Sequence, residues 1–246
     1  MSEAGAGHRW SLSGYTEEVL QAVGQFIVVG LQLMVLVGLV WHGVVRRAWM
    51  LPVYLVVNVA MQVLQAGWPT GFRRWNVWTA KELLVTVLAA TVVIEISARV
   101  FASLPGAGLR VWAALVSIVA VTVAAVGQAP GLGEQPWVYV TVTEVLPRTA
   151  FGAALLCTAT LGVMVWYHVP PDRVYQSTLG GLGLYLVSYA GPMGSAATSE
   201  VGRFIMYRVT PVVYVLVLVV WAWAVWSRED TPDVPPSVVR RLQPWR

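Results

Sequence analysis

Residues 24–42 read GQFIVVGLQLMVLVGLVWH, with no acidic residue, Lys or Arg, and with Gln25 at the start and Gln32 near the middle. At 1.5 Å of rise per residue, a helix of this length covers roughly the 30 Å of a bilayer's hydrocarbon core. Similar apolar runs recur at 48–67, 79–101, 111–128, 149–169, 177–193 and 210–227. The expectation is an all-α integral membrane protein, a seven-transmembrane-helix bundle. It divides into a polar outer segment over 1–23, a membrane domain over 24–227 and a charged, Pro-rich cytoplasmic tail over 228–246.

Composition points the same way. Of 246 residues, 57% are hydrophobic and 11% charged, against roughly 25% charged in soluble domains. A soluble fold cannot hide so much apolar side chain. Many of the thirteen Trp stand at the ends of the runs, among them Trp41, Trp49, Trp68, Trp75, Trp78, Trp112, Trp137, Trp166 and Trp226. Amphipathic rings prefer the membrane–water boundary. Turn formers at 69–71, 105–108, 130–133, 170–171 and 191–194 separate the runs.

The net charge of +4 does not imply nucleic acid. The basic residues are scattered singly and in pairs near run ends, as anchors for anionic lipid headgroups. Seven crossings place nine of them (Arg46, Arg47, Arg99, Arg110, Arg173, Arg228, Arg240, Arg241, Arg246) on one side and seven on the other. That balance puts the N-terminus outside and the C-terminus inside. Fifteen Arg against the single Lys81, with much Ala, Val and Gly, point to a GC-rich bacterial source and hence the inner membrane. The first residues lack the basic start and short apolar core of a cleavable signal, so the first span is expected to stay. The tail is too short for a fused output domain.

Two stretches carry secondary patterns. Over 137–145, Val138, Val140 and Val142 alternate with Tyr139, Thr141 and Thr143, which reads either as a short strand or as an early start to the fifth helix. A faint echo of Trp41-His42, Arg47 and Ala66-Gly67 recurs about 125 residues later at Trp166-Tyr167-His168, Arg173 and Ala190-Gly191. It raises a 3+1+3 pseudo-repeat, an arrangement found in some transporters.

Polar groups stranded in apolar runs are default site candidates. Glu95 and Arg99 are spaced i, i+4 with the acid first, as in an intrahelical ion pair. One reading has Arg99 reaching the inner headgroups and neutralising Glu95. The other has Glu95 face the interior and receive a proton, cation or ligand amine. Tyr54, Asn58, Gln62 and Gln65 fall on one helical face, as interhelical bonds or as a ligand pocket. Gln21, Gln25 and Gln32 offer a weaker stripe to meet it, and Tyr185 and Tyr189 project toward the same interior. Glu144–Arg148, Lys81, Glu82, Glu200 and Arg203 read as a solvated rim. The patterns Ala154-xxx-Thr158-xxx-Gly162 and Ser177-xxx-Gly181 predict close helix packing, and Gly191-Pro192 reads as packing or as a hinge.

No enzyme motif appears: Gly-x-Ser-x-Gly, His-Glu-x-x-His and Walker A are absent, and the expectation is a non-enzyme. Neither a cofactor nor a metal is expected. The final run lacks the Lys a retinal Schiff base needs, and His42 and His168 sit too near run ends for buried haem ligation. The reading favoured is a sensor or receptor-like module. It binds a small or lipophilic ligand, lies in the lipid bilayer and signals through inner loops to a separate cytoplasmic or membrane partner. A small-solute transporter and a non-catalytic accessory subunit are the alternatives.

Overall fold

The computed structural model describes residues 12–46, 48–72, 74–102, 108–128, 136–167, 172–195 and 199–227; side chains are described from residue 23, except at 72, 108–112, 114, 115, 194 and 195. The N-terminal residues 1–11, Arg47, the stretch 129–135, His168 and the tail 228–246 lie outside the described residues, with the expectations attached to them. Among those described, all regular structure is helical.

Seven long helical runs follow one another. They are α1 (Leu12–Trp41), α2 (Met50–Gly67), α3 (Trp75–Ala102) and α4 (Gly108–Gly127). Next comes α5, built from Trp137–Val140, a π turn Thr141–Val145 and Leu146–Trp166. Then come α6 (Arg173–Ser195) and α7, built from Glu200–Phe204, a π turn Ile205–Val209 and Thr210–Trp226. Among the described residues, five segments are long and apolar enough to cross a membrane: Val23–Trp41, Met50–Gly67, Trp75–Ala102, Trp137–Trp166 and Glu200–Trp226. The fourth helix contributes the shorter apolar stretch Val116–Gly127, and α6 is interrupted by small and polar residues. Five helices, not seven, meet the full requirement, which fits a polytopic membrane protein.

The strand alternative over 137–145 is not what forms. The segment is helical, and the backbone explains why. Its amides bond along the chain from the Pro136 carbonyl onward (Tyr139 N to Pro136 O, 2.9 Å), which leaves no donor for an absent partner strand. The π turn then widens the helix by one residue, an irregularity that masks the 3.6-residue period in the sequence.

Helices α1, α2, α3, α5, α6 and α7 each pack on the next in that order, and α7 returns to α1. Helix α4 lies outside, against α5 and α3, and α3 also touches α6 across the ring. That cross-contact divides the bundle into two lobes. One, α3 to α6, is tightly packed. The other is bounded by α1, α2, α3, α6 and α7.

The core is largely apolar, yet it also takes in polar side chains while large apolar ones face outward. Gln32, Thr79, Ser97 and Thr160 are fully buried, while Phe26, Trp41, Val165 and Tyr207 are among the large side chains most exposed. Outward apolar and inward polar groups suit a lipid solvent.

Close packing arises at positions other than the expected triplet. Ala154 is buried, but Thr158 and Gly162 stand at the exposed surface, and a Cβ at Gly162 would meet nothing within 4 Å. The face of α5 that meets α6 instead carries Cys157, 3.2 Å from where a Cβ on Gly183 would stand. A Cβ at Gly181 would lie 2.6 Å from the Trp221 indole nitrogen, so there the Ser177-xxx-Gly181 pattern does mark an approach, to α7. Gly191-Pro192 is absorbed into α6, which runs on to Ser195. Pro192 has no N–H to give the Ser188 carbonyl; the Thr210 hydroxyl on α7 donates to that carbonyl instead at 2.8 Å.

Candidate functional site

The polar groups of the bundle sort into a sealed set and an open set. The sealed set begins where α1 ends. Gly43, at φ 65°, makes the left-handed turn only Gly adopts readily, and the chain re-enters as α2. Helix α2 has no side-chain cap of its own, since Trp49 at its N-cap position supplies none. Its free N–H groups are taken by Glu95 of α3: Met50 N donates to Oε2 at 2.9 Å and Trp49 N to Oε1 at 3.3 Å. Arg99 donates to the same Oε1 at 2.8 Å. An acid at a helix N-terminus satisfies orphan donors and opposes the helix dipole. Both carboxylate oxygens of Glu95 are thereby engaged in holding α2 to α3.

A similar clamp stands at the start of α5. Arg148 pairs with Glu144 at 2.6 Å and donates to the Ala125 carbonyl at the end of α4. Within the packed lobe, the Ser97 and Thr160 hydroxyls meet at 2.7 Å, and Thr160 also bonds the Leu156 carbonyl. The cavity between α3, α4 and α5 holds about 140 Å³, walled by Ile94, Ile118, Val123 and Leu156 with Thr122 and Thr149.

The open set lies in the other lobe, and all five of its helices contribute. Gln32 of α1 donates through Nε2 to the Tyr214 hydroxyl of α7 at 2.7 Å. Gln62 of α2 donates to Gln32 Oε1 at 3.3 Å. On the far side, the Tyr189 hydroxyl of α6 donates to Glu82 of α3 at 3.0 Å, and Lys81 pairs with Glu82 at 3.1 Å. Tyr185 joins the two halves, with ring centroids 6.0 Å from Tyr189 and 4.9 Å from Tyr214. Tyr54, fully buried, stands edge-on to Trp221 at 6.5 Å.

Two buried atoms in this cluster have no partner within hydrogen-bond distance, the Tyr54 hydroxyl and Gln62 Oε1, although the Tyr54 hydroxyl faces that of Tyr214. An unsatisfied buried polar atom costs about 1–3 kcal/mol. Gln62 and Tyr214 also line a cleft of about 800 Å³ between α1 and α7, with Val28 and Val212 on its walls and Gln25 and Arg208 at its polar edge. Tyr207 and Arg208 reach it from the π turn of α7, the kind of irregularity that frequently accompanies functional sites. The volume falls within the range of small-molecule sites.

The eight residues singled out from sequence do not form one group. Tyr54, Gln62, Tyr185 and Tyr189 meet in the open lobe. Asn58 is half-buried and donates back to the Tyr54 carbonyl of its own helix at 2.8 Å. Gln65 is half-buried and has no hydrogen-bond partner among the described residues. Glu95 and Arg99 stand with the start of α2, apart from the tyrosines. Gln32 meets the α2 stripe through Gln62, as expected of the α1 glutamines. Glu82, expected at a solvated rim, is instead drawn into the cluster by Tyr189. Tyr214, the single hydroxyl inside VVYVLVLVVWAWAVW over 212–226, has no counterpart among the expected site residues. Among the described residues, no three His, Cys, Asp or Glu side chains gather as a metal site would require.

No protein family, no curated protein and no solved structure matches this chain.

Proposed function

We propose that this chain is a non-catalytic, sensor- or receptor-like seven-helix membrane module. It admits a small or lipophilic ligand through the α1/α7 cleft to the polar cluster of the open lobe. In this reading α4 and α6 also cross the bilayer, the N-terminus lies outside, and the membrane is a bacterial inner membrane. One observation carries the proposal: Gln62, which lines an 800 Å³ cleft, keeps a buried amide atom with no hydrogen-bond partner. A ligand that supplies the missing partner gains what the empty site lacks.

Helix α7 supports the signalling half of the reading. It lines the cleft with Tyr214, meets Tyr54 through Trp221, and ends with Trp226 edge-on to His42 at 5.9 Å. A ligand that favours one packing of α7 therefore biases the opposite end of the bundle, where a separate partner protein reads it.

The test is retention. Gly24 lines the cleft, and a Cβ there meets nothing within 4 Å, so Gly24→Trp starts its side chain in open space at the cleft and is expected to obstruct it. Organic extracts of the purified wild-type protein are expected to contain a small molecule that Gly24→Trp loses. Identical extracts from both, with equal thermal stability, would rule the cleft out as a site.

A transporter has one observation in its favour. The neighbour order α1-α2-α3-α5-α6-α7, with α4 outside, is the order a two-fold axis along the bundle would generate from two three-helix halves. The open-lobe cluster does not follow that symmetry, because none of its polar groups comes from α5. Superposition of the two halves within about 3 Å, together with solute uptake into vesicles, would favour transport over sensing.

A further inference from the structure

We infer that the α1/α7 cleft selects an anionic amphiphile bearing a free hydroxyl, of the glycerophospholipid type, taken laterally from the bilayer. The inference rests on the cleft being the ligand site, and adds the class of ligand. Three groups on the cleft define it.

The first is Arg208. Its side chain is exposed at the cleft, and among the described residues the ion pairs are Lys81–Glu82, Arg99–Glu95 and Arg148–Glu144. Arg208 thus offers a guanidinium with no carboxylate partner among them, beside a surface that meets lipid. Arg binds phosphate through paired N–H donors, and in a membrane the abundant phosphates are those of headgroups.

The second is the amide relay. In one orientation of the amides, Gln62 Nε2 donates to Gln32 Oε1, Gln32 Nε2 donates to Tyr214, and Gln62 Oε1 is left as an acceptor. Rotating both amides by half a turn reverses the relay and leaves Gln62 with an N–H to give instead. A hydroxyl both donates and accepts, so it satisfies Gln62 in either state. A carbonyl or an ammonium satisfies only one.

The third is the wall. Val28, Val212 and Val215 present apolar surface along the cleft. They cover the start of an acyl chain whose remainder stays among the surrounding lipids. A soluble anion leaves that surface uncovered, so the occupant is the membrane-borne form.

The full chain in lipid nanodiscs, released for native mass spectrometry, provides the test. The probes are phosphatidylglycerol, phosphatidylcholine and free glycerol 1-phosphate. One phosphatidylglycerol per chain is expected, retained about tenfold over phosphatidylcholine, a difference worth ~1.4 kcal/mol. Arg208→Gln abolishes the preference, Gln62→Leu lowers phosphatidylglycerol retention several-fold, and Arg203→Gln, which does not line the cleft, changes neither. Glycerol 1-phosphate at equal concentration does not compete. A preference that survives Arg208→Gln, or competition by glycerol 1-phosphate, overturns the inference. Equal retention of both lipids, lost in Gly24→Trp, overturns the ligand class and leaves the cleft as a site. Retention that Gly24→Trp does not alter overturns both.

Discussion

Helix α3 carries two carboxylates thirteen residues apart, Glu82 and Glu95, and they serve different ends of the molecule. Glu95 is consumed by structure: two backbone N–H groups and Arg99 take its oxygens, and the start of α2 is fixed in place. Glu82 belongs to a cluster that remains incomplete, with four tyrosines, two glutamines and two unsatisfied atoms beside an open cleft. The packed lobe repeats the first pattern, since the Ser97 and Thr160 hydroxyls satisfy each other beside a small apolar cavity. In a bilayer every polar group must find a partner inside the protein. Where partners are supplied, the group builds the fold; where one is missing beside an open cleft, the proposed ligand supplies it.

Substitutions separate the two cases, beginning with the largest effect. Glu95→Ala uncaps α2 and strands Arg99, and is expected to cost about 2–3 kcal/mol in a detergent unfolding assay. Glu95→Gln, which keeps acceptor oxygen for the helix, loses about half as much. A change below ~0.5 kcal/mol for Glu95→Ala would mean that the cap does not hold α2.

Overpacking gives the next effect. Gly181→Leu drives a side chain into Trp221 and Val217 and is expected to lower stability by about 1–3 kcal/mol. Gly162→Leu, on open surface, leaves the melting temperature unchanged. Equal shifts in the two would erase the distinction between buried and lipid-facing glycines.

The open lobe responds in the opposite sense. Tyr54→Phe removes a hydroxyl with no partner within hydrogen-bond distance, so the protein is expected to be unchanged or stabilised by up to ~1 kcal/mol in the same unfolding assay. Destabilisation of more than ~1 kcal/mol would show that the hydroxyl is satisfied and the cluster complete. The smallest effect belongs to Ser97→Ala, about 0.6 kcal/mol, typical of a hydrogen bond between membrane helices.

Much of this was legible in the chain. Apolar run length located the five helices that are long and apolar enough to cross a membrane, because a continuous apolar stretch of that length has few other uses; at 111–128 and 177–193 it marked helices that do not meet the full requirement. The i, i+4 spacings found both acid–base pairs, and the α2 stripe supplied Tyr54 and Gln62. Spacing on one helix cannot reveal a partner on another, so nothing marked Glu95 as the cap of α2 or Thr210 as the donor to the Ser188 carbonyl. The Ala154-xxx-Thr158-xxx-Gly162 pattern misled because small residues permit approach without requiring it. Tyr214 is legible from its place in the run: tyrosines at run ends belong to the interfacial belt, whereas one within a run needs an interior partner.

The contrast between sealed and open lobes is tested most directly by thiol labelling in nanodiscs. In a Cys157→Ala background, which removes the buried cysteine yet keeps its Cβ against Gly183, Gln62→Cys and Ser97→Cys are each exposed to a small membrane-permeant maleimide. Labelling at position 62 is expected to run at least about tenfold faster than at position 97, and to slow when Gly24→Trp is added. Equal rates at the two positions, or no slowing by Gly24→Trp, would contradict an open lobe reached through the α1/α7 cleft.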